Sequence, residues 1–250
     1  MTKDIINVQN LRVAYGDFVL FDNINFNVKE QDVFIIMGAS GCGKSSMLRV
    51  LTGLVSPVQG MVLINGKNLF EADIQQQKQI MLECGVMYQS GALFSSLTLK
   101  ENVAMPLELY STYNKKEINE LASYKLALAG LAGFDDFYPS EISGGMKKRA
   151  ALARALALDP KILFCDEPSA GLDPISSKRL DDLIKELNQS LGTTFVIVTH
   201  ELSSIFNIGT NSIFLDGKVK NITGRGNPNE LLQNPPNAEI REFLTRGIKK

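Results

Sequence analysis

Cysteine is scarce and histidine nearly absent: the 250-residue chain carries three of the first (Cys42, Cys84 and Cys165) and one of the second, His200. Three widely spaced cysteines do not make the pattern of a disulfide framework or a zinc site, and a reducing compartment suits them best. Long apolar runs are also missing. None approaches the ~18 residues of a membrane span, and the opening MTKDIINVQNLRVAYG lacks the apolar core of a signal peptide. These absences predict a soluble, cytoplasmic chain that can still dock on a membrane protein. Net charge is −1, so no global field draws the chain to nucleic acid or to an anionic membrane. There is no internal repeat and no low-complexity tract.

What is present is an ordinary globular composition, 44% hydrophobic, with an uneven distribution of pattern. Up to about residue 35, short β-rich runs alternate with turns, as expected of an antiparallel sheet. VFIIMG is a buried strand that ends at a glycine loop, and KSSMLRVLTGL after it is a helix. GMVLING is a strand turning at Asn65–Gly66, and GVMYQ is another short strand. From about Ser95 to Ala157 the period becomes helical, with Ile118, Leu121, Leu126 and Leu128 marking one amphipathic face. KILFCDEP and TTFVIVTH then flank the helix ISSKRLDDLIKELNQSLG, a βαβ unit with a parallel sheet. NSIFLDGKVKNITG reads as a hairpin, and a polar tail ends in the amphipathic AEIREFLTRG.

Three chemical motifs lie on this scaffold. GASGCGKS fits G-x-x-x-x-G-K-[ST] at every fixed position, with a strand before it and a helix after. Gly38, Ala39, Ser40, Gly41, Cys42 and Gly43 can curl the backbone so that N–H groups cradle phosphate oxygens. The helix N-terminus beginning near Lys44, Ser45 and Ser46 adds positive potential. Lys44 can reach the β- and γ-phosphates, and the Ser45 hydroxyl can ligate Mg²⁺. A dinucleotide fingerprint is a poor match to the same glycines. Next, ILFCDEP delivers Asp166 and Glu167 to the carboxyl end of a buried strand, where α/β sheets bind ligands. Asp166 suits Mg²⁺ or its water; Glu167 suits the attacking water. His200 follows another strand on the same edge, placed to meet the γ-phosphate and that water.

The third motif is EISGGM, which opens a helix built from strong helix formers with two glycines, each costing about 1 kcal/mol against alanine if helical. Three cations follow, Lys147, Lys148 and Arg149, expected to be mostly solvated or paired with carboxylates.

In order along the chain, GASGCGKS, VMYQSG, ISGGM, ILFCDE, SAGLD and VTH resemble the motif series of ATP-binding-cassette (ABC) ATPases from about Ile6 to Gly226. The resemblance implies an α/β P-loop fold with an antiparallel β subdomain and a helical subdomain inserted at about 92–158. It implies one ATPase domain over 1–226, with 227–250 a C-terminal extension packing on a partner subunit. It implies ATP and Mg²⁺ as ligands, Gln89 at the metal and the attacking water, Tyr15 stacked on adenine, and Asp173 in the D-loop. It implies a head-to-tail dimer with a second copy, in which Ser143, Gly144, Gly145 and Met146 face the phosphate held by the other copy. Ile142 and Met146 depart from the usual Leu-Ser-Gly-Gly-Gln, which leaves the anion-binding centre intact and puts Met146's contacts in doubt.

The texture of YQSGALFSSLTLKENVAMPLEL, and methionine in the signature, resemble the Mla-type phospholipid-transport ATPases. That likeness implies an inner-membrane permease, an MCE-domain lipid-binding protein, a STAS-domain protein, and a place on the cytoplasmic face of the inner membrane. No nucleic-acid partner is implied. An importer for a small solute such as an amino acid is the alternative. Leu93, Phe94 and Leu97 are candidates for the wall of a permease-docking groove, or for plain core.

Overall fold

A computed structural model describes residues 3–246. β1 (Asp4–Tyr15) and β2 (Phe18–Lys29) form a long antiparallel hairpin. Inward residues on β1 are Ile6 and Val8, then Leu11 and Val13. The parity changes at Asn10, whose φ of 48° and register shift mark a bulge. One extra residue turns the alternation over, which keeps both halves of the strand facing one core.

β3 (Val33–Gly38) leads through the glycine loop to α1 (Lys44–Leu51). β4 (Gln59–Ile64) and β5 (Lys67–Asn68) turn at Asn65–Gly66, as the sequence suggests, and complete a four-stranded sheet in the order β2-β1-β4-β5. α2 (Ile74–Leu82) has no counterpart in the periodicity reading. Its signal is local: Asp73 accepts from the Gln76 N–H at 2.8 Å while Gln76 returns the bond, a capping box.

After β6 (Cys84–Met87) come three helices, α3 (Leu99–Tyr110), α4 (Lys115–Leu128) and α5 (Gly144–Ala155). They pack through Leu99, Val103, Leu107, Ile118, Leu126 and Leu152. The buried face of α4 differs slightly from the expected one. It includes Ala122 and Lys125, and the Lys125 ammonium is paired with Asp159, while Leu121 and Leu128 are only partly covered.

The chain then alternates β7 (Ile162–Asp166), α6 (Pro174–Leu191), β8 (Thr194–Val198), α7 (Leu202–Ile208), β9 (Asn211–Asp216) and β10 (Asn221–Arg225). The second sheet runs β10-β9-β3-β8-β7-β6, parallel except for β10. β3 alternates between two cores. Val33, Ile35 and Met37 face the layer that includes α3–α6, and Phe34 and Ile36 face α1 and the antiparallel sheet.

α8 (Pro228–Gln233) and α9 (Ala238–Thr245) close the described chain. Leu231, Ile240, Phe243 and Leu244 are buried against their own domain, with Phe243 edge-on to Phe214 at 5.2 Å. The apolar face of the extension is thus occupied within this chain. A second copy would meet its polar face. Residues 247–250 of the expected extension lie outside the described residues. Among the described residues no helix is long and apolar enough to cross a membrane.

Candidate active site

The parallel sheet gathers the motif residues at one edge because β3, β8, β7 and β6 all end there. At the end of β3 the backbone turns sharply. Gly43 sits at φ 100°, where an added Cβ would come within 2.6 Å of the Phe21 ring. At Gly38 a Cβ would fall 2.4 Å from the Leu215 carbonyl. Any side chain at either position would force the loop open. Lys44 is the first residue of α1 and is buried; its Nζ donates to the Gly38 and Ala39 carbonyls, 3.1 Å each. The ammonium therefore rests on the inner rim of the loop, on acceptors that phosphate oxygens could replace.

Ser45 stands one residue further into α1 and donates to Asp166 Oδ1 at 3.1 Å. Burial pushes the Asp166 carboxyl above the ordinary carboxylate range, the Ser45 bond opposes this, and neighbouring Glu167 adds to it. Hydroxyl and carboxylate together offer hard oxygen ligands, the kind that Mg²⁺ takes along with phosphate oxygens and water. Among the described residues no group of three His, Cys, Asp or Glu side chains is arranged to hold a metal. A small oxygen-ligated cation thus fits this edge better than a transition metal held wholly by protein.

Glu167 is buried and its φ is 46°, in the left-handed region. That conformation costs of order 1–3 kcal/mol for a residue with a side chain and persists only where its surroundings fix it. Here the Glu167 N–H donates to the Val198 carbonyl at 2.8 Å. Its Oε1 lies 2.6 Å from His200 Nδ1, and its Oε2 accepts from the His200 backbone N–H at 3.4 Å. With Glu167 ionised, Nδ1 carries the proton, and Nε2, 4.0 Å from the Glu201 carboxylate, is an acceptor or, in the imidazolium, a donor. The histidine thus binds the glutamate directly, a contact the spacing of the two motifs does not reveal. The His200 carbonyl in turn accepts from Arg246 at the end of α9.

Gln89 lies beyond the end of β6, exposed, on the wall of an open cleft of about 680 Å³ that also receives Asp166, Gly144, Lys148 and Leu172. Tyr15 is 47% exposed at the end of β1, which excludes the core role that a strand tyrosine could have had. Asp173 caps α6, accepting from the Ile175 and Ser176 N–H groups at 3.0 Å. Those bonds, the Ser176 bonds foremost, hold its carboxyl below the usual range.

The signature segment forms a separate arm. Ser143 caps α5, its Oγ accepting from Met146 N–H at 3.3 Å. A side chain on Gly145 would press to 3.2 Å on Ser176. Gly144 is different: it has no positive φ, and a Cβ there would meet only Leu172 at an ordinary 3.8 Å. Among the described residues nothing requires glycine at 144. Met146 packs against the helical core.

One expectation needs correction. Neither Lys148 nor Arg149 pairs with a carboxylate among the described residues, and Lys148 is not solvated. Lys148 is buried with its Nζ on the Gln89 and Glu167 carbonyls, and Arg149 donates to the Ala129 and Gly130 carbonyls. The α5 N-terminus directs them inward because that side of the helix faces the cleft and the end of α4. Leu93 packs on the core, while Phe94 is half exposed with the Arg154 guanidinium over its ring, and Asn102 fixes the 94–98 segment through its bonds to Phe94, Leu97 and Thr98. A cavity between the sheet and the helical arm lies nearby. It measures about 270 Å³ and is lined by Lys78, Met81, Leu82, Pro106, Tyr110 and Arg154 among others. No sequence motif marks it, because its walls come from α2, α3 and α5 together.

Comparison with known proteins gives three kinds of match. The family model described as ABC transporter matches residues 21–170. A Mycobacterium tuberculosis protein named "Probable ribonucleotide transport ATP-binding protein mkl" is 37% identical over 239 residues, 96% of this chain and 66% of its own; the chain thus spans about two thirds of that relative. The Haemophilus influenzae "Intermembrane phospholipid transport system ATP-binding protein MlaF" is 37% identical over 245 residues, 98% of this chain and 91% of its own. A solved structure described as a dimeric post-hydrolysis state of the ATP-binding cassette MJ0796 with ADP and Pi shares 31% identity and a TM-score of 0.79. That match covers 89% of this chain and 98% of the other.

Proposed function

This chain belongs to the ABC transporter family of ATP-binding ATPases, and from that premise we propose that it energises phospholipid movement between two membranes of a cell envelope. The ATPase part rests on one observation above all. Lys44, the Ser45–Asp166 pair and the Glu167–His200 pair stand together at the ends of adjacent parallel strands. The phospholipid part is supported by the Haemophilus relative, which matches over nearly its whole length, and by the methionine at 146. The mycobacterial name points to another cargo, but that protein extends well beyond the matched region.

In this reading Lys44 exchanges its loop carbonyls for β- and γ-phosphate oxygens, and loop N–H groups from Gly38 to Ser46 cradle the rest. Ser45, Asp166 and Gln89 would hold Mg²⁺, which when bound neutralises phosphate charge. Glu167 accepts a proton from the attacking water. His200 keeps the carboxylate aimed and presents Nε2 toward the terminal phosphate. Tyr15, exposed beside the loop, stacks on the base.

The site is completed by a second copy, head to tail. Gly144 supports this: no described residue of its own chain requires its bare backbone at the N-terminus of α5, and it suits an anion brought by another molecule. Ser143 donates its hydroxyl there, Gly145 and Met146 flank it, and Asp173 faces the same junction. An inner-membrane permease docks in the cavity beside Tyr110 and Arg154 on the cytoplasmic side. An MCE-domain protein and a STAS-domain protein complete the assembly, and the polar face of the 227–250 extension packs on the partner subunit.

Purification of the native complex tests the cargo. Copurified phospholipid with an MCE-domain subunit is the expected result. A solute-binding protein with no lipid would overturn it while leaving the ATPase in place.

A further inference from the structure

Helix α5 sends basic side chains to backbone carbonyls. Arg154 donates to the Gly91 and Ala92 carbonyls at 3.0 and 2.8 Å. Lys148 donates to the Gln89 carbonyl and, at 3.5 Å, to that of Glu167. One helix therefore fastens three carbonyls of the stretch that follows β6. The same ammonium also touches the peptide of the residue read as the base.

Lys148 is only 7% exposed. Burial disfavours its charged form and is the main influence on it, while the Cys165, Glu167 and Asp166 side chains nearby favour the charge. A buried ammonium is costly unless its hydrogen bonds are satisfied, and a methionine would fill the same space without that cost. What methionine cannot do is hold two carbonyls from the segments that follow different strands. Glu167 gives the tie a purpose. Its left-handed φ is held from one side by the N–H bond to Val198 and from the other, at its carbonyl, by the Ala170 N–H at 3.1 Å and by the longer bond from Lys148, which alone reaches across to Gln89.

We propose that Lys148 is a positioning residue for ATP hydrolysis: its ammonium ties the peptide of Gln89 to that of Glu167, so that the signature helix, the Gln89 segment and the carboxylate over the attacking water move as one body. The inference rests on the ATPase reading of the site and is independent of the cargo. Removing the ammonium leaves the Glu167 carbonyl on the Ala170 N–H alone, unties it from the Gln89 peptide and loosens the aim of the carboxylate. Displacements of that kind cost up to ~100-fold in turnover.

The test is steady-state ATP turnover by the full chain as wild type, Lys148→Met, Lys148→Arg, Gln89→Ala and the Lys148→Met/Gln89→Ala double variant, with thermal melting alongside. Lys148→Met is expected to lower kcat by ~10-fold or more with KM and Tm nearly unchanged. Lys148→Arg, which keeps donors for both carbonyls, restores most of kcat. The double variant falls little below the weaker single, because both changes disable one unit. An unchanged kcat, a loss confined to KM, or multiplying effects in the double variant would overturn the proposal. If Lys148→Met does not fold, Lys148→Gln, with one amide donor, is read by the same split. A wild-type chain without ATP turnover would sink the ATPase reading instead, which keeps the two failures distinct.

Discussion

Glu167 is the residue whose surroundings say most about it. It is buried, strained, and bonded to the chain's single histidine, a combination that a strand end has no need for. Glu167→Gln keeps the shape and loses the proton acceptor. ATP turnover is expected to fall by ~10²–10⁴-fold, while nucleotide binding measured by calorimetry stays close to wild type. Full turnover by Glu167→Gln would remove it from the role of base. Lys44 and Ser45 were legible as a pair because their spacing is a local property of strand, loop and helix, and Asp166 and His200 were legible only as residues at the same edge of a parallel sheet. The Glu167–His200 bond was not, because a shared edge does not say which side chains on it touch. Lys148 was misjudged for a related reason: a cation in a helix tells nothing about which carbonyls other strands bring to it.

At the scale of elements, α6 and α7 share a buried carboxyl. Asp181 is 2% exposed, its Oδ1 has no hydrogen-bond partner, and burial pushes its carboxyl up to about 6 from 3.8. The nearby Ser204 and Asn207 side chains and the charge of Lys185 only partly offset this, and Asp182 adds to it. The sign follows from linkage. The folded state holds the proton more tightly, so the stability it contributes is full below pH 3.8 and is lost as pH rises through about 6. Asp181→Asn should therefore raise Tm at pH 7.5, by an amount equivalent to at most about 3 kcal/mol, and the gain should shrink toward pH 5. A gain that is equal at both values would show that ionisation is not its source.

α9 offers a second test. Ile240 is fully buried against Gly224, where a Cβ would fall 2.4 Å from its Cδ1. Ile240→Ala should cost about 2–5 kcal/mol in urea unfolding. A loss below 1 kcal/mol, a size more typical of an exposed site, would show that the extension does not belong to this core. The amphipathic pattern of AEIREFLTRG announced a buried face. Only the fold decided that the face belongs to the same chain.

For the whole molecule, the proposed head-to-tail pairing makes this half of a site. The phosphate loop and Ser143 sit on different arms, and among the described residues nothing requires glycine at 144. Ser143→Arg should abolish ATP turnover while leaving nucleotide binding to the loop intact, because the arginine blocks only the surface offered to the second copy. Turnover comparable to wild type would end the head-to-tail account.

By itself the sequence determined the parts whose physics is short-range: glycines that curl a loop, an apolar strand that carries two carboxylates to its end, and a serine cap before a helix. Those depend on neighbours a few residues away. The tertiary structure decided which of these parts meet. It joined Glu167 to His200, drew Lys148 inward, opened a cavity at the junction of three helices and wrapped α9 onto its own domain. Each of those outcomes depends on parallel strands bringing distant residues to one edge, and on the low tolerance of a packed interior for an unpaired charge or an uncovered apolar face.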